Sequence, residues 1–213
     1  MNRPRVLIAD DHFLVAEGLR TLLEPAFELL GIVADGEQLL EAATRLAPDL
    51  IVVDISMPKL TGLEAIQQLR TAGCTAKFVV LTMHGDPIYA ARAISFGASA
   101  FVLKHAAVTE LLTAIDEALV GRTYIAAELR ENVGRLLAAG PEEFNLEQRL
   151  THRQLEVLRL FAEGHSAKEV AHCLAISKRT AENHKASIKR LLGVHSTADL
   201  VKVAMRFGLV DPE

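Results

Sequence analysis

The pattern of apolar positions changes character near residue 125. Up to that point, short unbroken runs of aliphatic residues alternate with longer stretches whose apolar positions recur every three or four residues. The short runs are Arg5–Ala9, Leu29–Ala34, Leu50–Asp54, Phe78–Leu81 and Ala100–Leu103. Runs of this kind predict strands buried on both faces, as in a parallel sheet. Helical spacing covers Phe13–Leu23, Leu39–Leu46, Leu63–Leu69, Ala90–Phe96 and Leu111–Leu119. Pro48, Gly73, Gly97 and Gly121 mark helix ends. Five strands alternating with five helices predict an α/β fold, an open parallel (βα)5 sheet with helices on both faces.

Beyond Ile125 the strand signal stops. Glu128–Ala139 has helical spacing and ends at Gly140-Pro141, so residues 126–146 read as a partly helical linker. Residues 147–213 read as a second, all-α domain of four helices. Thr151 with Gln154, and Ser166 with Glu169, form two capping-box signatures. Leu155, Leu158 and Phe161 mark the core face of the first helix, and Val170, Ala171 and Leu174 that of the second. Ile176-Ser177 is a tight turn before a longer helix over Lys178–Leu192, with Ala181, His184, Ile188 and Leu191 on one face. A fourth helix, Ser196–Phe207, is closed by Gly208. Short helix, tight turn and longer helix make a helix-turn-helix. His184 falls on the apolar side and reads as a core histidine.

Composition narrows the setting. The 213 residues are half apolar, enough for two small cores. No run of 18 uncharged apolar residues exists, so no membrane span is expected. Asp10 and Asp11 interrupt the only early apolar run, which argues against a signal peptide. Cys74 and Cys173 lie far apart and suggest a reducing, cytoplasmic setting. The net charge of −4 divides unevenly: −5 over residues 1–125, −2 over 126–146 and +3 over 147–213. An acidic front and a basic back point to different partners.

Two of the strand runs end in acids, Asp10-Asp11 and Asp54. Side by side in a parallel sheet they bring three carboxylates to one point, and such a cluster asks for a hard cation such as Mg2+. Thr82 and Lys104 end the fourth and fifth strands. One carboxylate can attack a phosphoryl donor to form an acyl phosphate, with a hydroxyl and an ammonium to meet the phosphoryl oxygens. No Gly-x-Gly-x-x-Gly or P-loop follows the first strand, which argues against a nucleotide site. The eight histidines show no zinc spacing. In the second domain, the exposed face of the long helix carries Lys178, Arg179, Glu182, Asn183, Lys185, Ala186, Lys189 and Arg190. Five bases against one acid suit a phosphate backbone. Asn183 suits adenine and Glu182 suits cytosine in a major groove.

Residues 1–125 resemble a response-regulator receiver domain in Asp10-Asp11-His12, Asp54 with Met57-Pro58 and Gly62, Thr82 and Lys104. Residues 147–210 resemble the output domain of the NarL/FixJ (LuxR-type) regulators. The match runs through Leu150-Thr151, Gln154–Leu158, Ala162-Glu163-Gly164, Ser166–Ala171, Ile176-Ser177, Thr180, His184 and Leu192-Gly193-Val194. The resemblance implies that Asp54 is the phosphoacceptor, that Asp10 and Asp11 help it hold Mg2+, and that Thr82 and Lys104 read the phosphoryl group. Phe101 occupies the aromatic switch position, and Glu182, Asn183 and Ala186 occupy base-facing ones. It further implies a sensor histidine kinase as donor, with a small acyl phosphate as an alternative, and a dimer on two half-sites of double-stranded DNA.

Three residues depart from the commonest receiver pattern. Met83 stands where a small residue is usual and is expected to crowd the acceptor. His84 stands at a position expected to influence dephosphorylation, and His105 replaces a frequent Pro or Asp. Crowding beside Thr82 motivates a rival reading, a transcriptional regulator that works without phosphotransfer. A Mg2+-dependent phosphatase on the same sheet would need a general acid near Asp54 and a substrate cap, and the sequence offers neither clearly. An interaction scaffold is the third reading, separated from the first by DNA retention.

Overall fold

The structure, a computed structural model, describes residues 3–106, 108–146, 149–207 and 209–210. Residues 147 and 148, where the second domain was expected to begin, lie outside the described residues, as does Gly208, the expected stop of the last helix. The chain divides into two compact units, residues 1–134 and 135–213. The division falls inside the stretch expected to be a linker.

The first unit alternates β1 (Arg5–Ala9), α1 (Phe13–Leu23), β2 (Glu28–Val33), α2 (Gly36–Leu46), β3 (Leu50–Val53), α3 (Gly62–Thr71), β4 (Lys77–Thr82), α4 (Pro87–Ser95), β5 (Ala100–Leu103) and α5 (Val108–Leu119). The strands pair in parallel in the order β2-β1-β3-β4-β5. A two-residue strand, β6 (Tyr124–Ile125), extends the sheet beyond β5 by pairing Tyr124 with Ala100 and Ile125 with Phe101. Every residue of β3 and β5 is buried, as unbroken aliphatic runs require. Val6, Ile8, Leu50, Val52, Val79 and Val102 pack with Ala16, Leu19, Leu23, Ala114 and Ile115 of α1 and α5 in one apolar layer.

Local chemistry fixes where the helices begin. Asp35 caps α2 by accepting from the Gln38 backbone N–H. Asp86 caps α4, whose first turn starts on Pro87, a position where the missing N–H has no partner to lose. Both helices therefore start earlier than their apolar spacing predicts.

The segment after β3 is pinned from two sides. A Cβ on Gly36 would stand 2.2 Å from the Leu60 carbonyl oxygen, and one on Gly62 would stand 2.0 Å from that of Asp54. The Lys59 ammonium lies 2.7 Å from the Asp35 carboxylate. The Gln38 amide, followed by Lys59, holds the Asp35 carboxyl below the usual carboxylate range. Lys59 itself adopts the left-handed region at φ 67°, which costs a non-glycine residue about 1 kcal/mol.

Helix α6 (Arg130–Ala139) spans the boundary between the units. The second unit then contains a 3-10 turn (Pro141–Glu143), α7 (His152–Ala162), α8 (Ala167–Cys173), α9 (Lys178–Leu192) and α10 (Thr197–Arg206). Both expected capping boxes form, Thr151 with Gln154 and Ser166 with Glu169. Val157, Leu158, Phe161, Val170, Ala181, Ile188 and Leu200 are the buried core. Arg153 of α7 donates to the Leu174 carbonyl at the end of α8, 2.5 Å away, and fixes the turn into α9. Leu191, expected on the core face of α9, is instead 46% exposed.

Candidate phosphoryl site and nucleic-acid interface

The strand order puts β1 between β2 and β3, so residues following β1 and β3 meet at one sheet edge. Asp10 and Asp54 are both buried there, while Asp11 is partly open to solvent. One carboxylate oxygen from each of Asp10, Asp11 and Asp54, with a His12 nitrogen, lies within 4.8 Å of the others. His12 Nδ1 is 2.9 Å from the Asp11 carboxylate. The His12 backbone N–H donates to Asp10 Oδ1 over 2.9 Å.

Lys104 enters the cluster from the end of β5. Its Nζ lies 2.6 Å from Asp54 Oδ2 and 2.8 Å from Asp10 Oδ2. One ammonium thus bridges two buried carboxylates that would otherwise repel each other. Burial pushes the Asp54 carboxyl above its ordinary range; the Lys104 hydrogen bond opposes this and the Asp10 charge adds to it. Burial depresses Lys104, but its hydrogen bonds to Asp10 and Asp54 outweigh that and raise its pKa. Asp54 Oδ1 accepts from the Ile55 backbone N–H over 2.7 Å.

Thr82, at the end of β4, is fully buried and accepts the Lys104 backbone N–H through its carbonyl over 2.8 Å. Phe101 is fully buried in β5. The five strand-end residues singled out by the sequence are therefore brought to one end of the sheet, with Phe101 behind them. Met83 is 69% exposed, so its side chain is not part of the core. His105 points away to Glu128, 3.3 Å distant.

In the second unit, Lys178, Arg179, Glu182, Asn183, Ala186 and Arg190 are exposed on α9. Lys178 lies 3.8 Å from Glu182, one helical turn on. Lys185 and Lys189 are placed differently from the rest. The Lys185 ammonium sits 4.2 Å over the centre of the Phe161 ring, and burial lowers its pKa. Lys189 donates to the His195 carbonyl over 3.0 Å. His184 is half-buried.

A parallel sheet with an acidic pocket at the carboxyl ends of its strands, bridged by one lysine, defines a receiver-type phosphoacceptor fold. Comparison with known proteins agrees along the chain. The model of the response regulator receiver domain matches residues 6–116, and that of the bacterial regulatory proteins of the luxR family matches residues 148–204. The transcriptional regulatory protein MctR of Rhizobium johnstonii is 33% identical over 97% of this chain and 95% of its own. BvgA of Bordetella pertussis, described as a virulence factors putative positive transcription regulator, is 32% identical over 96% of this chain and 98% of its own. Among solved structures, RcsB of Salmonella enterica serovar Typhimurium bound to the promoter P1flhDC with phosphomimetic BeF3− superposes with a TM-score of 0.65. It is 28% identical and covers 96% of this chain and 99% of its own. The chain belongs to the two-component response regulators with a receiver domain and a LuxR/NarL-type helix-turn-helix domain.

Proposed function

We propose that the protein is a transcriptional regulator whose binding to promoter DNA is controlled by phosphorylation of Asp54. The observation that carries this reading is the Lys104 ammonium spanning Asp10 and Asp54 beside the open carboxylate of Asp11. A buried carboxylate with neighbouring charge compensation suits an acceptor: burial raises the Asp54 pKa and the Lys104 hydrogen bond opposes that rise. A carboxylate oxygen of Asp54 attacks phosphorus, the bond from phosphorus to the donor atom breaks, and an acyl phosphate remains on Asp54. A phosphohistidine of a sensor kinase is the expected donor. The oxygen-rich set of Asp10, Asp11 and Asp54 fits a magnesium ion, which would offset charge on the transferring oxygens.

Residues 1–125 act as the receiver, residues 126–146 as the connection and residues 147–213 as the output domain. Thr82 and Lys104 read the phosphoryl group, and Phe101 repacks in response. The active form is a dimer on two DNA half-sites. Lys104→Ala keeps the acceptor but removes the group that senses it. It should take up label from acetyl phosphate with Mg2+ yet show no phosphate-dependent rise in mass on sedimentation. A normal rise would exclude Lys104 from the relay.

Helix α9 enters the major groove with Asn183 and Glu182 toward base edges. Asn183→Ala should relax discrimination at one position of each half-site by about 1–3 kcal/mol. Glu182→Lys removes the acid beside Lys178 and adds a base, so affinity should rise for every duplex while preference shifts. Titration against a selected site and a scrambled duplex checks both. Equal factors on the two duplexes would mean that these residues do not read bases. The reading as a whole is tested by DNA binding with and without a phosphoryl donor. Unaltered binding would favour regulation without phosphotransfer.

A further inference from the structure

The segment that leads into α7 meets the far end of α9. Gly193 closes α9 in the left-handed region at φ 70°, with its N–H on the Arg190 carbonyl. The Val194 N–H reaches back to the Lys189 carbonyl over 2.9 Å. The Leu191 carbonyl is among the last four of the helix, which have no partner inside it. Arg149 meets it, donating from Nη2 over 3.0 Å. Arg149 sits in a turn closed by its own N–H and that of Leu150 on the Leu146 carbonyl, and both leucines are buried. A turn rooted in the core thus holds a guanidinium against the end of α9. One helical turn earlier, Ser187 Oγ accepts from Gln154 Nε2 of α7 over 3.3 Å. Glu182 and Asn183 lie nearer the start of α9 and are exposed.

We propose that Arg149 is a positioning residue for DNA recognition: it fixes the C-terminal end of α9 and so sets the tilt at which Asn183 and Glu182 meet base edges. The inference rests on α9 being the helix that docks in the major groove. Asn183 is about 12 Å along the axis from Leu191, at 1.5 Å per residue. Arg149 therefore acts on that readout through the helix, without touching the same bases. As a cation at the negative end of the helix dipole, it is held there by charge as well as by the hydrogen bond. A bidentate base contact needs two aligned hydrogen bonds at once, so a small change of tilt weakens it steeply. Attraction to the phosphate chain depends on the number of charges and tolerates the same tilt. Releasing the end of α9 should thus lower discrimination between sequences and spare general affinity.

The test titrates full-length protein with a selected site and with a scrambled duplex at two salt concentrations. Arg149→Met keeps an unbranched stem and removes the donor. It should weaken the selected site about fivefold, the weight of one ordinary hydrogen bond. The scrambled duplex and the salt slope should stay as in wild type. The bond uses one nitrogen of the guanidinium, so an ammonium can replace it, and Arg149→Lys should regain most of the lost preference. If Arg149 instead touches a phosphate, Arg149→Met weakens both duplexes alike and lowers the salt slope by roughly one unit. If its loss only loosens the fold, both duplexes weaken alike and the melting temperature falls. Either result, wild-type preference in Arg149→Met, or Arg149→Lys as poor as Arg149→Met would overturn the positioning role while leaving α9 as the reading helix. Equal binding of the two duplexes by wild type would overturn that reading as well.

Discussion

Asp54→Asn should leave the protein with no covalent phosphate under conditions that label wild type. The amide is close in shape to the carboxylate it replaces, so the pocket should remain packed, with Lys104 still held by Asp10. Its oxygen is a far weaker nucleophile than a carboxylate, and no other acid takes its place. Asp10 is buried with one oxygen on Lys104 and the other on the His12 amide, and Asp11 is engaged by His12. The phosphate-dependent gain in DNA binding and in dimer mass should vanish with the label. Mass spectrometry of the intact protein after acetyl phosphate treatment checks the first, and sedimentation checks the second. Equal incorporation in wild type and variant would move the acceptor elsewhere.

Gly62→Ala should be among the most destabilising single substitutions in the first unit. In an open helix this change is favourable by about 1 kcal/mol. At the first residue of α3 the added methyl would lie 2.0 Å from the Asp54 carbonyl oxygen and 3.0 Å from a Val53 methyl. These are backbone and core atoms with nowhere to move, and the Gly62 N–H is also committed to the Ile55 carbonyl over 2.9 Å. The expected cost is about 2–4 kcal/mol, in the range of core overpacking. Gly18→Ala is the control, since a Cβ there meets nothing within 4 Å on helix α1. Chemical denaturation of the two variants should move in opposite directions. A Gly62→Ala midpoint at or above wild type would show that α3 can shift away from Asp54 without cost.

Much of the fold was legible because burial writes itself into runs. Strands β1 and β5 and helices α1 and α9 begin and end where the aliphatic runs and helical spacing place them. The starts of α2 and α4 were missed for a common reason. Apolar spacing begins only at Leu39 and Ala90, yet Gly36 and Pro87 open the helices behind aspartate caps, a signal that Asp35 and Asp86 carry in plain view. Strand β6 was missed because two residues have no period, and its identity comes from pairing with β5. The acidic site was legible because its members end buried strands. The 2.7 Å hydrogen bond between Ser56 and His84 was not, since His84 stood out without a partner and Ser56 did not stand out at all until the sheet brings β3 and β4 together. Lys185 is half-buried rather than fully exposed. A helical wheel puts it on the polar face, but its four-carbon stem reaches across to the Phe161 ring.

That reach alters the thermodynamics of the interface. Protein–DNA affinity falls with salt because each phosphate neutralised by a protein cation frees condensed counterions, with a contribution of ~0.9 to the logarithmic slope per contact. The sequence offers five cations on α9, but Lys185 is anchored on an aromatic face and Lys189 on the His195 carbonyl. A lysine that keeps its internal partner frees no counterions on docking. On the docking proposed above, the attraction of α9 for a duplex would fall mainly to Arg179 and Arg190, with Lys178 shared with Glu182, and should be less sensitive to ionic strength than the formal charge suggests. With less of its affinity drawn from the phosphate chain, a helix docked in this way would gain relatively more from the bases it meets.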